Sequence, residues 1–201
     1  MAKYGKRNTR KGRGMKKIEP AVMTLTFQVP ASAAGSTSFI DLSQVASIVN
    51  RRFYRQGLNW AVGGFKFLGT AAGVIQVSKL PNTWVMANAW EKGMRAWLKM
   101  TNQALEETES VRARFQDFKI YADGDHWNLG FTQNLLPQGG FNAPAPTGQF
   151  VGGEWEASSI HVPNSSVGST QDFAIKAVGQ NYNGLLNQPV VSLIEGYAAR
   201  S

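Results

Sequence analysis

Met23-Thr24-Leu25-Thr26-Phe27-Gln28-Val29-Pro30 decides how the rest of the chain is read. Its apolar residues occupy every second position, with Thr24, Thr26 and Gln28 between them. Pro30 then removes a ladder donor, and together these features mark a half-buried strand that stops there. The same period of two recurs downstream. Phe65 and Phe67 flank Lys66, and Ile75 and Val77 flank Gln76 ahead of Pro81, so a second and third strand turning near Gly73 predict a hairpin. Phe118 and Ile120 alternate with Asp117 and Lys119 as a fourth strand. A fifth lies around Trp155, where the parity of Trp155 and Ala157 gives way to that of Ile160 and Val162 and so predicts a bulge. Phe173, Ile175 and Ala177 make a sixth, and Val191 with Leu193 a seventh.

Two helical patterns interrupt the strands. Asp41 with Gln44 three residues on reads as a capping box, opening a short helix with Leu42, Val45, Ile48 and Val49 inward and Gly57 past its basic end. Asn88 and Glu91 read as a second cap. Trp90, Met94, Trp97, Thr101 and Leu105 then recur at steps of three and four along one face, a core stripe rather than a cofactor face. Glu106, Glu107 and Glu109 stand at the end where the helix dipole disfavours acids, so the helix frays there. From Gly124 to Ser169 the chain is rich in Gly, Pro, Asn and Ser, which predicts long loops.

Seven short strands with one or two inserted helices predict an all-β fold, a single jelly-roll antiparallel sandwich. A parallel sheet would need a helix after nearly every strand. The count is one short of eight, which points either to a missed strand or to a chain shortened at its C-terminal end. No repeat or composition shift divides residues 18–201, which read as one domain.

Composition narrows the function. The chain has 201 residues, 43% of them hydrophobic, enough for a packed core in one domain. It has no Cys, which excludes disulfides, thiolate zinc sites and thiol nucleophiles. No apolar run approaches the roughly 18 residues of a spanning helix, and the basic N-terminus lacks the apolar centre of a signal peptide, so no membrane partner is expected.

Charge is the most informative property. Eight of the 21 Lys and Arg residues fall within the first 17 positions: Lys3, Lys6, Arg7, Arg10, Lys11, Arg13, Lys16 and Lys17. No acid accompanies them. From Ile18 onward the basic and acidic residues balance at 13 each, so the whole formal +8 rides on a leader too polar and Gly-rich to fold alone. Such a segment neutralises phosphates by releasing condensed counterions, whatever the base sequence, and Tyr4 can add a stacking contact. It also fits a nuclear-import signal. The eight cations are the expected nucleic-acid-binding residues.

Catalytic constellations are absent from the sequence. There is no phosphate-cradling loop ending in Gly-Lys-Ser/Thr, no G-x-G-x-x-G after a strand and no G-x-S-x-G elbow. Only two His occur, and His161 reads as a strand-end side chain. Asp123, Asp125 and His126 around Gly124 offer oxygen ligands to a hard cation such as calcium, but without the EF-hand spacing. A turn whose Asp side chains bond nearby amides accounts for the same residues. Asn164-Ser165-Ser166 is a glycosylation sequon that stays silent without secretion. No catalytic residue, cofactor or enzymatic activity is expected.

One region carries a resemblance. Leu80-Pro81-Asn82-Thr83-Trp84-Val85-Met86, followed by Asn88-Ala89-Trp90-Glu91-Lys92-Gly93 and Arg95-Ala96-Trp97, resembles capsid proteins of small circular, Rep-encoding single-stranded DNA viruses. Phe39-Ile40-Asp41-Leu42-Ser43, the run from Val49 to Trp60, and Asp117-Phe118-Lys119-Ile120-Tyr121-Ala122-Asp123 look similar to the same group, so the likeness covers residues 39 to 123.

The resemblance implies a jelly-roll subunit whose copies, 60 or more, close into an icosahedral shell around single-stranded viral DNA. It also implies residence in the virion and, during assembly, in the host nucleus, with nuclear import factors as further partners. Sixty leaders would neutralise about 480 phosphates at one charge each, fewer than a kilobase-scale genome carries, which leaves a share for the inner wall with Arg51, Arg52 and Arg55. Two rivals stand beside this reading. One is a nucleic-acid-binding protein that never forms a shell, and the other is a nuclease holding a metal at Asp123 and Asp125.

Overall fold

The computed structural model describes residues 21–30, 35–69, 72–106, 117–139, 148–163, 166–180 and 189–198. In chain order these form α1 (Leu42–Asn50), α2 (Trp84–Ala104), α3 (Gly124–Leu129), a 3-10 turn (Phe131–Gln133), β1 (Ser159–Pro163), β2 (Thr170–Lys176), β3 (Val190–Ser192) and α4 (Leu193–Ala198). Among the described residues helix accounts for 31% and strand for 14%, a mixed α/β architecture. The expected all-β jelly roll is therefore corrected: the described residues hold four α-helices and a single three-stranded sheet.

The correction has a physical cause. Period-two alternation marks extended backbone, yet a strand exists only where a neighbour accepts its hydrogen bonds. Of the stretch from Met23 to Val29, only Phe27 finds a bridge, to Pro137. Residues 58–69 and 72–80 run without helix or ladder, so the hairpin expected from Phe65 to Val77 is not made within the chain. The fifth strand, expected around Trp155, is displaced to Ser159–Pro163, although Trp155 is buried as its parity required.

The sheet that does form has the order β1-β2-β3. β1 runs antiparallel to β2, with Ile160 facing Phe173 and His161 facing Asp172, whereas β3 runs parallel to β2, with Ile175 beside Val191. Beyond Ala174 the place of β1 is taken by the segment expected as the fourth strand. The Tyr121 N–H donates to the Ile175 carbonyl at 2.9 Å, and the Tyr121 carbonyl accepts from the Ala177 N–H at 2.8 Å. Both flanks of β2 are thus occupied.

The stripe on α2 closes one face of this sheet. Met86, Phe118, Ile120, Ile175 and Ala177 form the buried cluster, with Trp90, Met94 and Trp97 of α2 and Leu193 and Ile194 of α4 packed against it. Phe118 contacts both indoles, its ring centroid 5.7 Å from those of Trp90 and Trp97. Burying one such side chain stabilises by about 1.5–3 kcal/mol. The N-cap of α2 is Thr83, whose Oγ1 accepts from the Met86 N–H, and the helix therefore starts before the expected cap at Asn88.

α1 starts as read. Asp41 is its N-cap and accepts from the Ser43 and Gln44 amides. Its buried residues are Ser43, Gln44 and Val45, so two polar side chains point inward where the apolar periodicity marked Leu42, Ile48 and Val49. Helix α1 ends at Arg51, which takes a left-handed conformation at φ 51°. Gly57 has a different task. At φ +82° it turns the chain beneath Trp90, whose ring lies 2.6 Å from where a Cβ would stand.

Candidate functional site

The inward polar residues of α1 begin a buried relay. The His126 Nδ1 accepts from the Ala122 N–H at 3.0 Å, which leaves the proton on Nε2 to be donated to Asn134 Oδ1 at 2.7 Å. Asn134 Nδ2 donates to Gln44 Oε1 at 2.9 Å, and Gln44 Nε2 donates to the Gly152 carbonyl at 3.4 Å. Every donor meets an acceptor. Phe39 stacks on the imidazole at 4.5 Å, and Tyr121 and Phe131 meet its edges. Burial holds the His126 imidazole below the ordinary histidine range, outweighing the Asn134 hydrogen bond and the charges of Asp41 and Asp123, which raise it. With both nitrogens engaged, the ring joins α1, α3 and the 3-10 turn and has no free basic atom.

Asp41 anchors a second set of bonds. Its Oδ2 accepts from Gln56 Nε2 at 2.6 Å and from Trp155 Nε1 at 3.0 Å, while Gln56 Oε1 accepts from the Ile120 N–H at 2.8 Å. Lys119 lies beside it, buried, with Nζ 3.1 Å from Asp117 and 4.9 Å above the Trp155 ring. One carboxylate therefore caps a helix and pins an indole and a carboxamide arriving from two other parts of the chain.

Asp123 and Asp125, the candidate cation ligands, sit at the start of α3. Asp123 is its N-cap and accepts from the His126 N–H at 2.9 Å; Asp125 lies in its first turn. His126 points away into the relay. Among the described residues no three His, Asp or Glu side chains gather as a metal site would require. The eight leader cations lie outside the described residues.

One constellation escaped the sequence reading. On β1 and β2, His161 Nδ1 lies 2.5 Å from Asp172 Oδ1, and His161 Nε2 lies 3.3 Å from Ser159 Oγ. The connectivity is that of a nucleophile, a base and an orienting acid. The signal lies in the facing of His161 and Asp172, which no local spacing reveals. The His161 and Asp172 side chains are 52% and 58% exposed, so water competes for each bond.

Two surfaces have the chemistry of contact rather than catalysis. Trp84 stands 70% exposed at the start of α2, edge-on to Tyr197 at 6.4 Å, and Lys92 Nζ lies 4.3 Å over the Tyr197 ring. The exposed Trp84 ring with a cation nearby has the chemistry of base stacking. Residues 58–69 and 72–80 form the other surface, with Phe65, Phe67, Leu68, Val74, Ile75 and Val77 all exposed. A shallow groove of about 440 Å³ along α2, lined by Arg95, Lys99 and Asn102 among others, holds no buried reactive group. No helix of the described residues is long and apolar enough to cross a membrane. Comparison with protein-family models, with curated proteins and with solved structures finds no match to this chain.

Proposed function

We propose that this chain is a non-enzymatic structural subunit that associates with copies of itself and packages single-stranded DNA through the cations of residues 3–17, as a viral capsid protein does. One observation carries the reading. All of the net charge lies on 17 residues, ahead of a body in which 13 basic and 13 acidic residues balance. A neutral body can approach its copies without mutual repulsion, while the leaders supply the attraction for a shared polyanion. The exposed apolar run at 58–80 supports the associating half of the proposal, because a lone soluble subunit gains nothing from keeping such a surface in water. The proposal does not need a jelly roll.

The second reading, a nucleic-acid-binding protein that never assembles, draws on Trp84, Tyr197 and Lys92. One experiment separates the two. Binding of a single-stranded oligonucleotide is followed across a salt series, with light scattering recorded on the same samples, for the full chain and for a chain lacking residues 1–17. If all eight cations contact the strand, log K against log salt falls with a slope of about −6 per subunit, and the deletion removes most of that slope. Scattering from particles of many subunits supports the shell. A small complex supports the second reading, and a slope indifferent to the deletion overturns the leader as the packaging segment and leaves binding to Trp84, Tyr197 and Lys92.

A further inference from the structure

Residues 58–80 contain two halves that match each other and do not pair. Among the described residues, none of the backbone amides or carbonyls of 58–69 and 72–80 makes a hydrogen bond within the chain. In the first half Phe65 and Phe67 stack at 6.3 Å with an interplanar angle of 13°, the same-side placement of i and i+2 that a strand gives. Leu68 is 85% exposed and Val74 98%, so both faces of the segment are open. Two extended stretches with unsatisfied backbone and apolar side chains form an edge that another strand can complete.

The sequence of the segment selects that strand. Setting residues 65–68 antiparallel to 74–77 places Phe65 opposite Val77, Phe67 opposite Ile75 and Leu68 opposite Val74, apolar against apolar on both faces. Lys66 falls opposite the neutral Gln76. Pairing the first half with its own copy about Lys66 would instead set Lys66 against Lys66, which like-charge repulsion disfavours. Lys66 and Lys79 are the only charged residues between 58 and 80, so apolar contact and backbone bonds must supply the affinity. Because the described residues leave the two halves unpaired, a second molecule can supply the complementary half.

We propose that residues 65–68 of one subunit pair antiparallel with residues 74–77 of a second copy, an exchanged hairpin that joins subunits. The inference rests on the self-association reading above and names its contact. When each copy gives and receives one half, two subunits form a closed dimer; when each passes its second half onward, they form a chain of subunits.

The absence of Cys makes the test direct. Facing residues in an antiparallel ladder have Cα atoms about 4.5 or 5.5 Å apart, within the range a disulfide spans. The full-length double variant Phe65→Cys, Val77→Cys is oxidised without nucleic acid and run on a non-reducing gel, beside each single variant, with circular dichroism confirming an unchanged fold. A disulfide-linked dimer or a ladder of multiples, absent from both single variants, is the expected result. A link closed within one chain, which runs at monomer mass, overturns the inference, as does assembly in which no link forms. The packaging proposal survives either outcome, since its salt slope belongs to the leader; a subunit that stays monomeric both with and without oligonucleotide sinks both.

Discussion

His126 shows how one buried side chain sets a pH response. Its imidazole is neutral, donating from Nε2 and accepting at Nδ1, and burial lowers its pKa from the ordinary 6.5. The unfolded chain therefore takes up a proton near pH 6.5 that the folded chain refuses. Stability from this site is complete above that pH and declines as pH falls from about 6.5 toward the lowered native value. We expect the urea midpoint to fall across that window and the His126→Gln variant, less stable throughout, to show a flatter profile. A parallel pair of profiles would remove His126 as the cause. Part of this site was legible. Asp41 and Asp123 both carry the local signature of a side chain bonding amides two or three residues on, and both are helix caps. The relay was not legible, because Asn134 joins His126 to Gln44 across 90 residues of sequence and such a pairing exists only once the fold brings the segments together.

At the scale of elements, glycines separate backbone need from packing need. Gly57 and Gly168 adopt nearly the same left-handed conformation, at φ +82° and +81°, but Gly57 lies under the Trp90 ring whereas nothing stands within 4 Å of a Cβ at Gly168. Gly168→Ala should cost about 1 kcal/mol of unfolding free energy for the conformation alone. Gly57→Ala should cost about 2–4 kcal/mol, since it must also displace an indole from the core. Equal losses in denaturant titrations would show that Trp90 yields freely. Two of the helices, α1 and α2, were readable, since each carries its hydrogen bonds internally and shows a cap and a stripe, whereas α3 forms in the stretch from Gly124 to Ser169 expected as loops. Strands depend on a distant partner. β2 was found because Phe173, Ile175 and Ala177 coincide with real neighbours, while the equally regular Met23 to Val29 has one bridge. Leu193 was assigned to the last strand but opens α4, where Gly196 obscures the helical pattern.

For the molecule as a whole, order should grade outward from β2. Ala174 donates to Pro189 on one flank, and Ala177 and Val178 donate to Tyr121 and Ala122 on the other, so these amides open only when the sheet comes apart. We expect hydrogen exchange in the dissociated subunit to be slowest at 174–178 and close to that of an unstructured peptide at 58–69. Protection spread evenly over both regions of the dissociated subunit would contradict the architecture. The charge asymmetry was fully legible, because a count of residues needs no coordinates. The architecture was not, since a jelly roll and this smaller sheet share the same local alternation and differ in which strands meet.

The bare stretch between Leu58 and Leu80 sets handling against purpose. Replacing Leu68 or Val74 with a polar residue would give a preparation that concentrates well, stores well and crystallises as a single particle, because such a change removes sticky area without touching the interior. The same change would blunt the recognition between neighbours. If 65–68 and 74–77 join subunits as proposed, good behaviour in the test tube is therefore a poor criterion for choosing variants of this protein.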